Sequence, residues 1–241
     1  MTDTTIPLDM RRGASGVVRV AHRGGAALAP ENSLAAIEAA AAVGVDVVEL
    51  DVLRRADGVL VIAHGPEVPS DAPSLADALA LTAQLGLAAQ LDVKLRGLET
   101  DVAAALRTGG LLERAFVSSF SLPILLAFAA AAPELPRSLT YPEDRLGISE
   151  RRLLRPALST GLAVLRELLP RRLPRWLDRA GAQAATLNWA VVTPAAVDAC
   201  HAAGAAVYAW TVNEPALART LVESGIDGII TDDPRIFSPS L

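Results

Sequence analysis

The chain has 241 residues, of which 51% are hydrophobic and 20% charged, with a net charge of −5 at neutral pH. That length suits one α/β barrel of about 250 residues, and the composition is far from that of a disordered chain. The acidic balance argues against a nucleic-acid partner held through a general basic surface, and a lone cysteine, Cys200, rules out an intrachain disulfide and points to a reducing, cytoplasmic setting.

In chain order, residues 1–16 read as an N-terminal tail without an apolar signal-peptide core, and 17–241 as a single domain. Short β-branched runs then alternate with Ala/Leu-rich stretches, which predicts a parallel sheet with helical crossovers. A strand is expected at 17–22 and a helix at 33–43, followed by strands at 46–53 and 59–64. Beyond them the pattern gives helix 74–85, strand 87–94, helix 99–109, strand 115–119, helix 121–132 and strand 137–141. The apolar run at 124–132 is far shorter than the roughly 20 residues that span a bilayer. Several helical turns fall within 149–180, and the remainder reads strand 184–188, helix 194–203, strand 205–211, helix 214–224 and strand 226–231. Gly44, Gly86, Gly204 and Gly225 sit where helices should stop.

Nine strands are one more than a closed eight-stranded barrel needs. The surplus is explained by RADG at 55–58, whose Asp57-Gly58 is a hairpin signal too short for a parallel crossover. Strand 59–64 should therefore fold back antiparallel on 46–53. A two-residue loop at 57–58 pairs Ala56 with Val59 and places His64 opposite Asp51. The fold expected is a TIM-type (β/α)8 barrel, with a β-hairpin in the 51–64 region after strand 2 and a helical elaboration between strands 6 and 7.

Active sites of such barrels lie at the carboxyl ends of the strands. The first strand ends in His22-Arg23; the second carries Glu49 and Asp51, two apart and on one face; the hairpin returns His64; and strand 87–94 carries Asp92 and Lys94. Lys94 is the only lysine, the other 21 of the 22 basic residues being arginines. Each residue has a structural alternative: Arg23 and Lys94 could serve only to neutralise carboxylates, and a lone histidine is usually a satisfied core residue. A pure salt-bridge cluster does not need two imidazoles, however, and His201, on a helix, is the histidine assigned to structure alone. Three hard oxygen ligands suit Mg²⁺ or Ca²⁺ rather than zinc. Neighbouring cations suit a phosphate, and two histidines can deprotonate a nucleophile and protonate a leaving alkoxide. Metal-assisted phosphodiester cleavage follows from these residue types.

The stretches AHRGG and APENS within 21–33, VELDV at 48–52, the strand-ending His64, LDVK at 91–94, and YAWTVN with GIITDDP within 208–234 resemble the glycerophosphodiester phosphodiesterase family. The resemblance covers nearly the whole chain. It implies a metal-dependent TIM-type barrel that hydrolyses glycerophosphodiesters to glycerol 3-phosphate and an alcohol. By the match, Glu49, Asp51 and Asp92 bind the metal, His22 and His64 form the acid/base pair, Arg23 and Lys94 hold phosphate, and Trp210 lines the alcohol side. Asn32 or Ser33 is expected to cap the first helix. The chain departs from the family pattern in having Asp92 where Glu is usual and Gly65 where Asp usually follows the second histidine. Only GPEVPSDAP (65–73) stands where a substrate-covering insertion is normal.

Residues 145–179 hold nine arginines against three acids, a net of +6, leaving −11 for the rest. Apolar residues at 154, 158, 165 and 169 give an amphipathic pattern. One reading is a helical layer packed on the barrel with its arginines outward. The other is a basic lid on an anionic membrane, which makes lysophospholipids candidate substrates for a lysophospholipase D-like activity. A non-catalytic barrel binding phosphate or headgroups is the alternative from another class, suggested by the changes at 65 and 92.

Overall fold

The computed structural model describes residues 9–13, 16–65, 67–142 and 155–237, with side chains at 155–160 left aside. Eight strands run parallel: β1 (Val18–Ala21), β2 (Val47–Arg54), β4 (Ala88–Val93), β5 (Ala115–Ser119), β6 (Arg137–Tyr141), β7 (Ala184–Asn188), β8 (Ala206–Trp210) and β9 (Gly228–Thr231). The ring closes because β1 pairs with both β2 and β9, with Ala21 beside Val48 on one side and Thr231 on the other. Helices α1 (Leu34–Val43), α2 (Leu75–Gln84), α3 (Glu99–Thr108), α4 (Leu122–Ala131), α5 (Arg155–Ala180), α6 (Pro194–Ala202) and α7 (Pro215–Glu223) fill the crossovers. This is the TIM-type (β/α)8 barrel expected from the alternation of strand and helix patterns. Strands covered on both faces explain why β2, which carries two acids, still reads as a buried apolar run.

The remaining strand, β3 (Leu60–Ile62), folds back antiparallel on β2, but not in the expected register. Leu53 pairs with Val61 and Arg54 with Leu60. The loop is three residues long, closed where Arg55 N donates to Val59 O at 2.9 Å. Asp57 Oδ1 accepts from Val59 N at 3.1 Å, and Gly58 turns the chain with φ 90°, a conformation that costs glycine little. The slip of one residue sets Ala63, not His64, beside Asp51, with Ala63 N donating to Asp51 O at 3.1 Å.

The lower barrel is apolar. Phe116 and Tyr208 meet with ring centroids 5.5 Å apart among Val18, Val20, Val47 and Ile230. Gly228 makes room for that layer, since a Cβ there would lie 2.3 Å from the Tyr208 ring. Residues 9–13, read from sequence as part of a tail, lie against this end: Tyr208 Oη donates to Met10 O at 2.9 Å, and Arg12 N donates to Asp227 Oδ1 at 3.1 Å. His201 packs structurally, its Nε2 2.8 Å from Asp227 Oδ2.

Helix α5 rests on the barrel through Leu169, Leu173 and Leu177, while Arg171 and Glu167 are exposed. Residues 145–154 of the arginine-rich stretch lie outside the described residues. Among the described residues no helix is long and apolar enough to cross a membrane.

Candidate active site

The carboxyl ends of the strands enclose a cavity of about 420 Å³. His22, Arg23, Glu49, Asp51, His64, Asp92, Lys94 and Trp210 all line it, so the structure brings every residue selected from the sequence to one place. Strand periodicity is the cause: Glu49 and Asp51 on β2 and Asp92 on β4 point inward from adjacent strands, with Asp51 beside Asp92 in register.

One oxygen from each of Glu49, Asp51 and Asp92 lies within 4.8 Å of the others, and all three residues are buried. Burial and the charges of Asp51 and Asp92 outweigh the lowering effects of His22 and the Arg23 amide, and push Glu49 up to about 7. Burial likewise raises Asp92, with Asp51 adding to it against Lys94 and Ser118. Burial also acts on Asp51, but Lys94, Arg23 and Asn32 overcome it and hold that carboxyl below its ordinary value. Three crowded, hard oxygen donors fit a divalent cation of the Mg²⁺ or Ca²⁺ type, whose charge would relieve the mutual repulsion.

The cations of the site are turned onto these acids. Lys94 Nζ is ion-paired with Asp51 and lies 3.5 Å from Asp92 Oδ2. Burial alone would depress this ammonium, yet Asp51, Asp92 and Glu49 raise it. Arg23 has a left-handed backbone, φ 51°, that aims its N–H at Glu49 Oε2, 2.8 Å away. Its guanidinium reaches Glu31 at 2.6 Å and lies 3.3 Å from Asp51 Oδ2. A non-glycine residue held in that conformation costs on the order of 1–3 kcal/mol and tends to occur at functional sites.

The two histidines differ. His22 Nδ1 lies 2.6 Å from Asp232 Oδ1, and Nε2 faces Glu49 at 4.0 Å. Burial would depress this imidazole, but the Asp232 hydrogen bond and the Glu49 and Asp232 charges outweigh it and Arg23, and raise it. His64 is exposed at the rim. Partial burial of the ring holds it below its ordinary value, helped by Arg23 and Lys94 and opposed by Asp51 and Glu31.

Several partners were not singled out from the sequence. Asp232 is clamped by Asn213, whose Nδ2 donates to Oδ2 at 2.7 Å and whose Oδ1 accepts from Asp232 N at 2.9 Å. Asp232 follows the last barrel strand in the TDDP stretch, so the strand-end rule that found His22 would have found it too. Of the two residues expected to cap the first helix, Ser33 does so. Ser33 Oγ accepts from Ala36 N at 3.1 Å and caps α1, whereas buried Asn32 donates from Nδ2 to Asp51 Oδ2 at 3.1 Å and accepts from Asp51 N at 3.0 Å. Asn32 thus orients an acid of the cluster, a role no local pattern reveals.

A parallel barrel with a buried acid triad, two cations and two imidazoles at its mouth defines the class: an α/β barrel equipped for metal-assisted phosphoryl chemistry. The profile of the Glycerophosphoryl diester phosphodiesterase family matches residues 22–77 and 88–236, and the chain belongs to that family. It is 25% identical over 255 residues to a glycerophosphodiester phosphodiesterase of Caldanaerobacter subterraneus subsp. tengcongensis, covering 90% of this chain and 94% of the relative. Solved structures share the fold. A glycerophosphodiester phosphodiesterase of Agrobacterium tumefaciens superposes with a TM-score of 0.70 at 23% identity, over 92% of this chain and 98% of that one. An Oleispira antarctica phosphodiesterase in complex with its product sn-glycerol-3-phosphate gives 0.69 at 23% identity, over 90% and 93%.

Proposed function

We propose that this protein hydrolyses glycerophosphodiesters to glycerol 3-phosphate and an alcohol. The observation that carries the reading is a single cavity joining the buried Glu49–Asp51–Asp92 triad to two imidazoles whose proton affinities are pushed in opposite directions. Family membership and the product bound by the Oleispira relative support it.

His64, kept neutral, takes the proton from the attacking oxygen. His22, kept protonated by Asp232, gives a proton to the departing alkoxide. Arg23 and Lys94 swing from their carboxylates onto phosphate oxygens, Arg23 as a fork and Lys94 as a point charge. Trp210 walls the alcohol side, its Nε1 donating to Thr186 O at 3.2 Å and its ring standing edge-on to Phe120 at 5.8 Å. Glu49, Asp51 and Asp92 would hold Mg²⁺ or Ca²⁺, which when bound supplies Lewis-acid polarisation of the phosphoryl oxygen. The test is a panel of glycerophosphocholine, glycerophosphoethanolamine, lysophosphatidylcholine and an aryl diester with Mg²⁺, Ca²⁺ or chelator. Metal-dependent release of the alcohol is expected, and the absence of turnover on every member would leave a binding barrel in its place.

A lipid-facing version of the same activity is favoured by one feature. A groove of about 240 Å³, lined by Phe120, Leu122, Leu139, Tyr141, Trp176 and Arg179, meets the catalytic cavity at Phe120 and Thr140. Lysophosphatidylcholine outperforming glycerophosphocholine, with co-sedimentation on anionic vesicles at low salt, is the result that this version requires. We place the protein in the cytoplasm or peripherally on its membranes, a reading supported by the buried free thiol of Cys200, which burial pushes up to about 12.

A further inference from the structure

Strand β6 presents different chemistry to the two sides of the barrel wall. Ser138 and Thr140 belong to its inner face, where Ser138 Oγ lies 2.7 Å from Thr186 Oγ1. Leu139 and Tyr141 alternate with them and face outward, into the apolar layer shared with α4 and α5. That outer layer is not closed over. The groove of about 240 Å³ runs along it, with Leu122, Tyr141 and Trp176 only partly buried in its walls. The Tyr141 and Trp176 rings stand 5.1 Å apart there. Phe120 and Thr140 line both this groove and the catalytic cavity, so the two spaces meet over the carboxyl ends of β5 and β6.

The meeting point lies on a definite side of the site. Phe120 stands edge-on to Trp210, with ring centroids 5.8 Å apart, and Trp210 walls the alcohol side in the reading above. The groove therefore continues the alcohol side of the cavity. Its walls are selective. Partly exposed aromatic and aliphatic side chains gain from any apolar chain that removes them from water. Among the described residues the charged member of the wall is Arg179, and Arg172 is near enough to act on the Tyr141 hydroxyl. Two guanidinium groups repel a choline or ethanolamine end and leave a neutral chain unpenalised.

We infer that this groove is the subsite for the alcohol arm of the diester, and that the arm it takes is an unbranched apolar chain without a cation. The inference rests on the phosphodiesterase reading above and specifies its leaving group. The alcohol released is an alkanol or an acyl-bearing alcohol rather than choline. One water is consumed: its hydroxyl ends on phosphorus, and its hydrogen ends on the released alcohol. Leu122 is a specificity-determining residue in this arrangement, because it lines the groove and not the catalytic cavity.

The test is a series of glycerophosphodiesters whose alcohol is ethanol, butanol or hexanol, assayed with Mg²⁺ beside glycerophosphocholine. In the wild-type protein kcat/KM should rise about threefold per added methylene, roughly a hundredfold from ethyl to hexyl, as for methylenes removed from water. The hexyl diester should also exceed glycerophosphocholine. Leu122→Asp puts a carboxylate in the groove at the first residue of α4, where the helix dipole favours an acid. It should cut the hexyl-to-ethyl ratio at least about tenfold, a ratio in which any general effect of the new charge cancels. Leu122→Met, close in volume and apolar, should keep the ratio within about threefold. Titration calorimetry of hexyl phosphate against ethyl phosphate, with Mg²⁺ present, reads the same preference without turnover. A flat series in both assays, or a ratio untouched by Leu122→Asp, overturns the subsite. A rise seen only with the acyl length of lysophosphatidylcholines overturns the assignment to the alcohol arm. No turnover of any diester, with the calorimetric preference intact, would support the groove and overturn the phosphodiesterase reading instead.

Discussion

The histidine at the β1–β9 seam and the histidine at the hairpin end are built in opposite ways. His22 is anchored by Asp232, itself clamped by Asn213, so a side chain from the first strand is held by residues that follow the last two. His64 stands at the rim beyond β3, exposed and followed by Gly65 with φ 108°. In the proposed mechanism that difference is what divides the two proton-transfer roles between them. Asp232 and Glu49 outweigh burial and raise the braced imidazole, whereas partial burial, helped by Arg23 and Lys94, lowers the loosely held one.

The largest test of this contrast is removal of either ring. His22→Ala and His64→Ala should each lower kcat by about 10²–10⁴ with the circular dichroism spectrum unchanged. Full activity in both variants would sink the acid/base pairing.

Next in size is Asp232→Asn, which keeps a hydrogen-bonding partner but removes its charge. A fall of about 10–100-fold in kcat is expected, the size typical of losing a carboxylate that orients a functional histidine. The profile of log kcat/KM against pH should be bell-shaped in the wild type. Below the His64 pKa the base carries a proton and activity falls; above the His22 pKa the acid has lost its proton and activity falls again. The acid limb is therefore expected below the ordinary histidine value and the alkaline limb above it. Asp232→Asn should move the alkaline limb to lower pH and leave the acid limb in place. An alkaline limb that stays put would separate His22 from the acid role.

Lys94→Arg comes third. An ammonium that only neutralises Asp51 should tolerate a guanidinium, whereas a fitted phosphate contact should lose about tenfold in kcat/KM with thermal stability kept. The smallest effect is expected on the hairpin side. At Gly65 a Cβ would meet open space, but the positive φ disfavours any side chain, so Gly65→Ala should destabilise by about 1 kcal/mol. Thermal melts give the stability change, and a kcat shift of only a few-fold is expected to accompany it.

Much of the barrel was legible in the sequence because parallel strands buried on both faces leave β-branched runs, and because glycines mark the helix ends. Gly44 ends α1 with φ 88° as expected. The hairpin's existence was legible, but its register was not. Asp57-Gly58 suits loops of two or three residues, and the three-residue loop carries an Asp57 to Val59 N hydrogen bond that periodicity does not encode. The inward acids, both histidines and both cations followed from the strand-end rule. Asp232 also stands at a strand end, but its pairing with His22 arises through ring closure across 210 positions of sequence and is not written in any local pattern. Asn32 looked like a cap because its type favours caps, yet its amide is committed to Asp51.

The plugged lower end of the barrel has a kinetic consequence. With Phe116 and Tyr208 filling the interior and the Met10 carbonyl bound to Tyr208, the ring is a cup, open to solvent at its mouth. Entry and departure then share one doorway, and the order of exit is fixed by depth. Under the proposed function the alcohol, released near the rim, leaves first. If Arg23 and Lys94 hold the phosphate as proposed, the anionic fragment leaves last, so it should compete with incoming diester, and accumulating glycerol 3-phosphate should act as its own brake.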